Sequence, residues 1–272
     1  MPLSPILSRL EALRSGSANR FATAAPSPQA TIDAVPSAWA SRLPIAGVRA
    51  GEAELFADPR VEWALGNLGG VEGAECVELG PLEGGHTYML ERGGASSVTA
   101  IEANNNAYLK CLVVKELLAM DRCSFLYGDV VSYLEQRETD FDVCWCAGIL
   151  YHMVDPVRLL ELISGRASRL YIWTHYYDES VIAADPAKQR PFAKGITTVA
   201  RSGGFDHTLH RHDYGRAPGL RQFWGGNQPF SNWLELDAIL GALEHLGWKS
   251  IETSIEAENP HGPAVNLTAV RA

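Results

Sequence analysis

No apolar run in this sequence approaches the roughly 18 residues that a membrane-crossing helix needs, so no spanning segment is expected. Basic residues are the second scarcity: Lys and Arg number 23 against 32 Asp and Glu, a formal net charge of −9. Proteins that grip nucleic-acid phosphates carry a basic footprint, and its lack makes nucleic acid an unfavoured partner. Cysteines are few and odd in number: Cys76, Cys111, Cys123, Cys144 and Cys146. They lie mostly on apolar runs and read as small buried hydrophobes in a reducing compartment, which points to a cytoplasmic protein. Cys144 and Cys146 face the same way in a strand pattern, but no thiols or histidines at short spacing complete a zinc set. The dinucleotide fingerprint G-x-G-x-x-G is also missing.

What is present is a chain of 272 residues, one generous domain or a domain with an added lid or arm. Leu3, Ile6, Leu7, Leu10 and Leu13 form an amphipathic helical stripe, suited to packing on the domain or on a second copy. Arg9, Arg14 and Arg20 beside a single acid would also suit a transit peptide, a less favoured reading. Ser15–Ser37 is rich in Ala, Ser and Pro, like a linker or extended arm. The expected organisation is an N-terminal helical arm and linker over 1–70, through which a homodimer could form, and a main domain over 71–272.

From residue 74 the pattern becomes regular. Short β-prone runs at Cys76–Leu79, Ser97–Ile101, Cys123–Tyr127, Phe141–Cys146 and Leu170–Thr174 alternate with helical stretches, among them Asn105–Leu118, Val130–Gln136 and Pro156–Ile163. Such alternation predicts right-handed crossovers and a parallel sheet. Asp155-Pro156 is a helix start, Asp as N-cap and Pro in the first turn. Asn232 with Glu235 is a weaker start for a helix to about His245. Two last β-like runs, Trp248–Ile255 and Ala264–Val270, are joined by a loop too short for a helix and should pair antiparallel. Between Asp178 and Phe230 periodicity disappears, which predicts a lid, a substrate loop or an inserted subdomain over 178–230.

Four positions recur at the ends of successive strands, where ligands of open α/β sheets bind. Val77–His86 reads Val-Glu-Leu-Gly-Pro-Leu-Glu-Gly-Gly-His: a strand reaching Glu78, then a glycine loop with Gly80, Gly84 and Gly85 that lets a ligand approach the backbone. Glu102 follows 24 residues later, a carboxylate able to accept both hydroxyls of a ribose. Gly128-Asp129 comes next, where Asp129 can accept from an adenine amine and the Val130 amide can donate to the ring. Cys146-Ala147-Gly148 closes the fourth run and leaves room across the strand tips.

Taken together, the stretch from about 74 to 175 resembles the core of class I S-adenosylmethionine-dependent methyltransferases. The resemblance implies an α/β fold: a Rossmann-like, doubly wound, mostly parallel sheet with an antiparallel last strand. It implies S-adenosyl-L-methionine as cofactor, with Glu78, Gly80 and Gly84 on its methionine moiety, Glu102 on the ribose, Asp129 and Val130 on the adenine, and Ala147 near the sulfonium. Many members place a third glycine where this chain has Leu82. The phrase Gly-Ile-Leu-Tyr-His-Met, followed by Asp-Pro, is similar to a subgroup of carboxymethyl- and carboxy-S-adenosylmethionine tRNA enzymes and quinone or natural-product methyltransferases.

For the acceptor side, methyl transfer needs a positioned nucleophile and, for O or N acceptors, a place for its proton. His175 is the first candidate for that base and His152 the second; Tyr151, Tyr177 and Trp224 are candidates for acceptor binding. Phe223, Trp224, Phe230 and Trp233 would either cover an apolar acceptor or tie the lid to the core. His207, His210, His212 and Asp213 could converge on a metal only from a loop, and an acceptor pocket or a solvated loop is the preferred reading. A carboxylated cofactor would call for an extra cation, for which Arg201, Arg211, Arg216 and Arg221 are available. The expected activity is methyl transfer to a small or medium organic acceptor. Its rivals are a tRNA-modifying methyl- or carboxymethyltransferase, a nicotinamide-dependent dehydrogenase and a catalytically silent cofactor-binding protein.

Overall fold

The computed structural model describes residues 21–137, 139–215 and 225–271. The stripe at 3–13, with Arg216, Arg221, Phe223 and Trp224, lies outside the described residues. The chain enters through a short helix α1 (Pro28–Asp33) and a longer α2 (Pro59–Leu68). Helix α2 starts where Asp58 caps the Arg60 N–H and Pro59 sits in the first turn; it ends at Gly69, whose φ of +73° stops the helix without steric cost. The regular alternation follows: β1 (Glu75–Leu79), α3 (Gly85–Arg92), β2 (Ser97–Glu102), α4 (Asn105–Leu118), β3 (Cys123–Tyr127), α5 (Val130–Gln136), β4 (Phe141–Ala147), a 3-10 turn at Leu150–His152, α6 (Pro156–Ser164) and β5 (Ala167–His175).

A seven-stranded sheet forms in the order β3-β2-β1-β4-β5-β10-β9, where β9 is Trp248–Glu256 and β10 is Ala264–Arg271. Pairing is parallel from β3 through β5, while β10 runs antiparallel to both neighbours. This is the expected sheet with its terminal hairpin. The order reverses at β1 and β4, which places a crevice at their carboxyl ends. One buried cluster, including Leu159, Leu160 and Ile163 of α6, covers one face of the sheet; a second, including Cys111 and Val114 of α4, covers the other. The arm joins the second cluster through Ile32, Leu43, Phe56, Val61, Ala64 and Leu68. All five cysteines are buried and free. Among the described residues no helix is long and apolar enough to cross a membrane.

The segment after β5, expected as a lid, a substrate loop or an inserted subdomain, folds as a small subdomain of its own. It holds two short helices, α7 (Glu179–Ala184) and α8 (Pro186–Gln189), and strands β6 (Thr197–Ser202) and β7 (Phe205–Asp213). With β8 (Phe230–Trp233) they make an antiparallel sheet in the order β6-β7-β8. The β6–β7 turn is Gly203-Gly204 with φ of +56° and +80°, a two-residue hairpin whose positive φ values glycine supplies at no steric cost. Asn232 does not cap a helix. It belongs to β8, donates its backbone N–H to Met153 O (2.9 Å) and its side-chain amide to Val154 O (2.7 Å), and so ties the subdomain to the loop after β4. The last helix, α9 (Leu236–His245), starts after Glu235, with no side-chain cap bond.

Candidate active site

Below the tips of β1, β2, β4 and β5 lies a cavity of about 240 Å³. Of the expected cofactor residues, Glu78, Gly80, Glu102 and Ala147 line it. Gly80 leaves β1 with φ +70°. Leu82, at the place where a third glycine was expected, takes φ +55° and so adopts the backbone a glycine would have supplied. Its N–H donates to Glu102 Oε2 (3.1 Å), and Asn104 N–H donates to Oε1 (2.7 Å). The Ala103 N–H adds a third backbone donor to this carboxylate, whose two oxygens still keep lone-pair capacity for a diol. Burial raises the Glu102 pKa, with those amides opposing it.

Glu78 is buried and accepts from the Thr87 hydroxyl. Burial pushes it up to about 8; the Thr87 bond opposes this and the Glu102 charge adds to it. Gly84 does not line the cavity: with φ +81° it is the N-cap of α3, and its neighbour Gly85 meets the cavity instead. A Cβ on Gly85 would fall 2.5 Å from Leu55 O, so the arm crosses directly over this glycine. Asp129 and Val130 also stand outside the lining. Asp129 is exposed at the end of β3, its Oδ1 capping the Ser132 N–H (2.9 Å), and Val130 is buried in the core.

Of the acceptor-side candidates, Tyr151 and His152 line the cavity together with Trp173. His152 Nδ1 meets the Tyr214 hydroxyl at 2.7 Å. Burial, with smaller contributions from His212 and His175, lowers the His152 pKa to about 3 and keeps the ring neutral. His175 is not in the lining. It is buried, stacked on Trp233 (5.1 Å between centroids) and edge-on to Tyr151, with Nδ1 3.0 Å from Gly262 O. A carbonyl can only accept, so Nδ1 carries the proton. Tyr177 is likewise outside the cavity, stacked on His210 at 3.7 Å.

His207, His210 and His212 do not converge from a loop. They lie on strand β7, where His207 points to one face and His210 and His212 to the other, because side chains alternate. His210 pairs with Glu235 (2.9 Å) and His212 stacks on Trp233. Among the described residues no group of three ligating side chains could hold a metal. The proposed cation suppliers Arg201 and Arg211 are paired to Asp206 and Asp213 and do not reach the cavity. The cation that does is Arg60 of the arm, which the sequence reading missed, together with Asp58, His86 and Trp173. Arg60 sits over the Trp173 ring (4.8 Å) and is bound by Asp58. Burial raises the Asp58 pKa, but bonds from His86 and Arg60 outweigh it and hold the carboxyl well below its usual range.

The sequence matches no protein-family model and no curated protein. The fold does have solved counterparts. The N-terminal domain of EvdMO1, in the presence of SAH and D-fucose, superposes with a TM-score of 0.66 at 20% identity, covering 90% of this chain and 95% of that one. Magnesium protoporphyrin IX methyltransferase (ChlM) from Synechocystis PCC 6803 with bound SAH gives 0.53 at 17%, covering 79% and 81%. The 1,6-didemethyltoxoflavin-N1-methyltransferase of Burkholderia thailandensis gives 0.51 at 13%, covering 80% and 79%. The fold is that of the S-adenosylmethionine-dependent methyltransferases. Within that fold, the switch-point crevice of this chain is the cavity lined by Glu78, Glu102 and Arg60.

Proposed function

We propose that the protein is an S-adenosylmethionine-dependent methyltransferase acting on a small or medium organic acceptor. The observation that carries this reading is the match between the cavity and the charges of that cofactor. Glu102, fixed by backbone amides, offers lone pairs for the ribose diol; buried Glu78 suits an ammonium; Arg60 suits a carboxylate. Asp129, with Oδ2 unbonded among the described residues, stands beside Glu102 through the Gly128 N–H to Glu102 O bond (3.0 Å) and is assigned to the adenine.

When bound, the cofactor supplies an electrophilic methyl on a sulfonium. The chain supplies the walls: Tyr151 and Trp173 orient a flat or ring-shaped acceptor, and neutral His152, beside them in the same lining, is the group assigned to take a proton from an attacking O–H or N–H. His152 therefore replaces His175 as the first candidate base, because only His152 lines the cavity. The subdomain of β6, β7 and β8 is assigned to acceptor choice. D-fucose in the EvdMO1 structure makes a hydroxylated ring the first acceptor class to test. A tRNA substrate is disfavoured by the net charge of −9. The deciding experiment is calorimetric titration with S-adenosylmethionine, S-adenosylhomocysteine and NAD⁺. Binding of the adenosyl ligands alone supports the reading, and preference for NAD⁺ overturns it.

A further inference from the structure

A chain of buried hydrogen bonds runs from the centre of the sheet to the cavity wall. It begins at Trp145 of β4, fully buried, whose indole N–H lies 3.1 Å from His86 Nδ1. An indole nitrogen can only donate, so Nδ1 accepts and the imidazole proton sits on Nε2. That Nε2–H donates to Asp58 Oδ2 at 3.0 Å. Asp58 in turn accepts from the Arg60 backbone N–H (2.9 Å), from Nε (2.9 Å) and from Nη2. One edge of the guanidinium is thus committed, and Nη1 has no hydrogen-bond partner among the described residues. Among the described residues, Arg60 is the only Lys or Arg lining the cavity, and its guanidinium lies over the Trp173 ring at 4.8 Å.

We propose that His86 is a positioning residue, which holds Asp58 and through it aims Arg60 at the carboxylate of the cofactor's amino-acid end. This rests on the cofactor reading above and deepens it. The anchor comes from the arm, before β1, so the arm completes the cofactor site rather than merely covering it. The chemistry of position 86 is demanding: it must accept from Trp145 on one side and donate to Asp58 on the other. Neutral imidazole with its proton on Nε2 does both. A glutamine can also do both, since its amide offers an acceptor and a donor at similar spacing. A leucine fills the space and does neither, leaving a buried indole N–H and a carboxylate lone pair unmatched.

The test compares S-adenosylmethionine with decarboxylated S-adenosylmethionine, which differ in the carboxylate alone, by calorimetric titration of the full chain. Wild type is expected to prefer the carboxylated ligand by roughly tenfold or more, the worth of one charge-assisted hydrogen bond. His86→Leu and Arg60→Met should each erase most of that preference while leaving the decarboxylated ligand's affinity within about twofold, and His86→Gln should restore it. If His86→Leu weakens both ligands equally, or if Arg60→Met leaves the preference intact, the proposal is overturned; the second result decides the matter even should His86→Leu fail to fold. A wild-type protein that binds both ligands without preference sinks the anchor and leaves the cofactor reading standing. Binding of neither ligand sinks both.

Discussion

The backbone N–H of Leu82 donates to Oε2 of Glu102 at 3.1 Å, so a single hydrogen bond ties the loop after β1 to the carboxylate at the tip of β2. That bond depends on an unusual backbone. Leu82 holds φ at +55°, a left-handed conformation that costs a leucine about 1 kcal/mol and that only the surrounding contacts sustain. Removing the carboxylate should therefore act twice, on ligand contacts and on the loop. Glu102→Ala is expected to weaken S-adenosylhomocysteine binding by about tenfold to a hundredfold. Glu102→Gln, which keeps one acceptor oxygen, should lose less. Calorimetry on both variants checks the order, and equal affinity in all three proteins would remove Glu102 from the site.

Glu78 makes stability depend on pH in a direction opposite to that of an ordinary paired carboxylate. Its folded value of about 8 lies above its ordinary 4.5. Below about 4.5 both states are protonated and nothing is gained or lost. Between about 4.5 and 8 the unfolded chain has released a proton that the folded chain retains, so this contribution falls as pH rises. The loss is on the order of a few kcal/mol, complete above about pH 8. Glu78→Gln, locked in the neutral form, should flatten that slope. Urea unfolding of both proteins at pH 5 to 9 measures it; parallel curves would show that Glu78 is ionised in the fold throughout. If a cofactor ammonium meets Glu78, binding near pH 7 should also release a proton, visible as a buffer-dependent binding enthalpy.

The sheet and half of its cavity were legible in the sequence because parallel strands announce themselves. Cys76–Leu79 is buried on both faces, and so is Phe141–Cys146 but for Asp142, and small or acidic residues at their tips line the cavity. Glu78, Gly80, Glu102 and Ala147 could be found on that ground alone. Arg60 could not. It lies in the arm, 18 residues before Glu78, and enters the site only because Gly85 lets Leu55 O pass at close range. The β6–β7 hairpin was hidden for a different reason: β6 is largely exposed, so its polar residues alternate with nothing apolar to mark a buried face. The usable signal was Gly203-Gly204, a two-residue turn between Thr-Thr-Val-Ala-Arg-Ser and Phe-Asp-His-Thr-Leu. His175 misled because its position at the end of β5 is right, while Nδ1 is spent on the loop carbonyl of Gly262 and the ring is packed against Trp233.

His152 gives the acceptor chemistry a distinctive pH signature. Burial lowers its pKa to about 3, so the ring is uncharged across the physiological range. A solvent-exposed histidine base would produce an acid limb in kcat near 6.5. Here kcat should stay level from pH 8 to 5 as far as His152 is concerned. Stability, by contrast, should fall below about pH 6.5, because the unfolded chain then binds a proton that the folded one refuses. His152→Ala should lower kcat by about a hundredfold or more if the ring takes the acceptor's proton, with little change in cofactor affinity. An acid limb at 6.5 that persists in His152→Ala would assign the base elsewhere.

The arm is fastened by a buried ion pair, and breaking one half of it should be worse than breaking both. Glu83 Oε1 lies 2.7 Å from Lys110 Nζ, with both side chains almost fully buried. Glu83 also accepts the backbone N–H groups of Ala40 and Ser41, while Lys110 donates to Ala38 O and lies 5.3 Å from the centre of the Trp39 ring. Lys110→Met leaves an unpaired carboxylate beneath the arm and should cost about 3–5 kcal/mol. The double variant Glu83→Gln, Lys110→Met removes both charges and keeps a carbonyl oxygen for the two N–H groups, so its loss should be smaller than that of Lys110→Met alone. Denaturant unfolding measures the stabilities, and limited proteolysis of residues 34–57 reports whether the arm has lifted. Because Leu55 and Arg60 reach the cavity from that arm, Lys110→Met should also weaken cofactor binding. Faster cleavage of the arm with unchanged affinity would show that the strap is independent of the site.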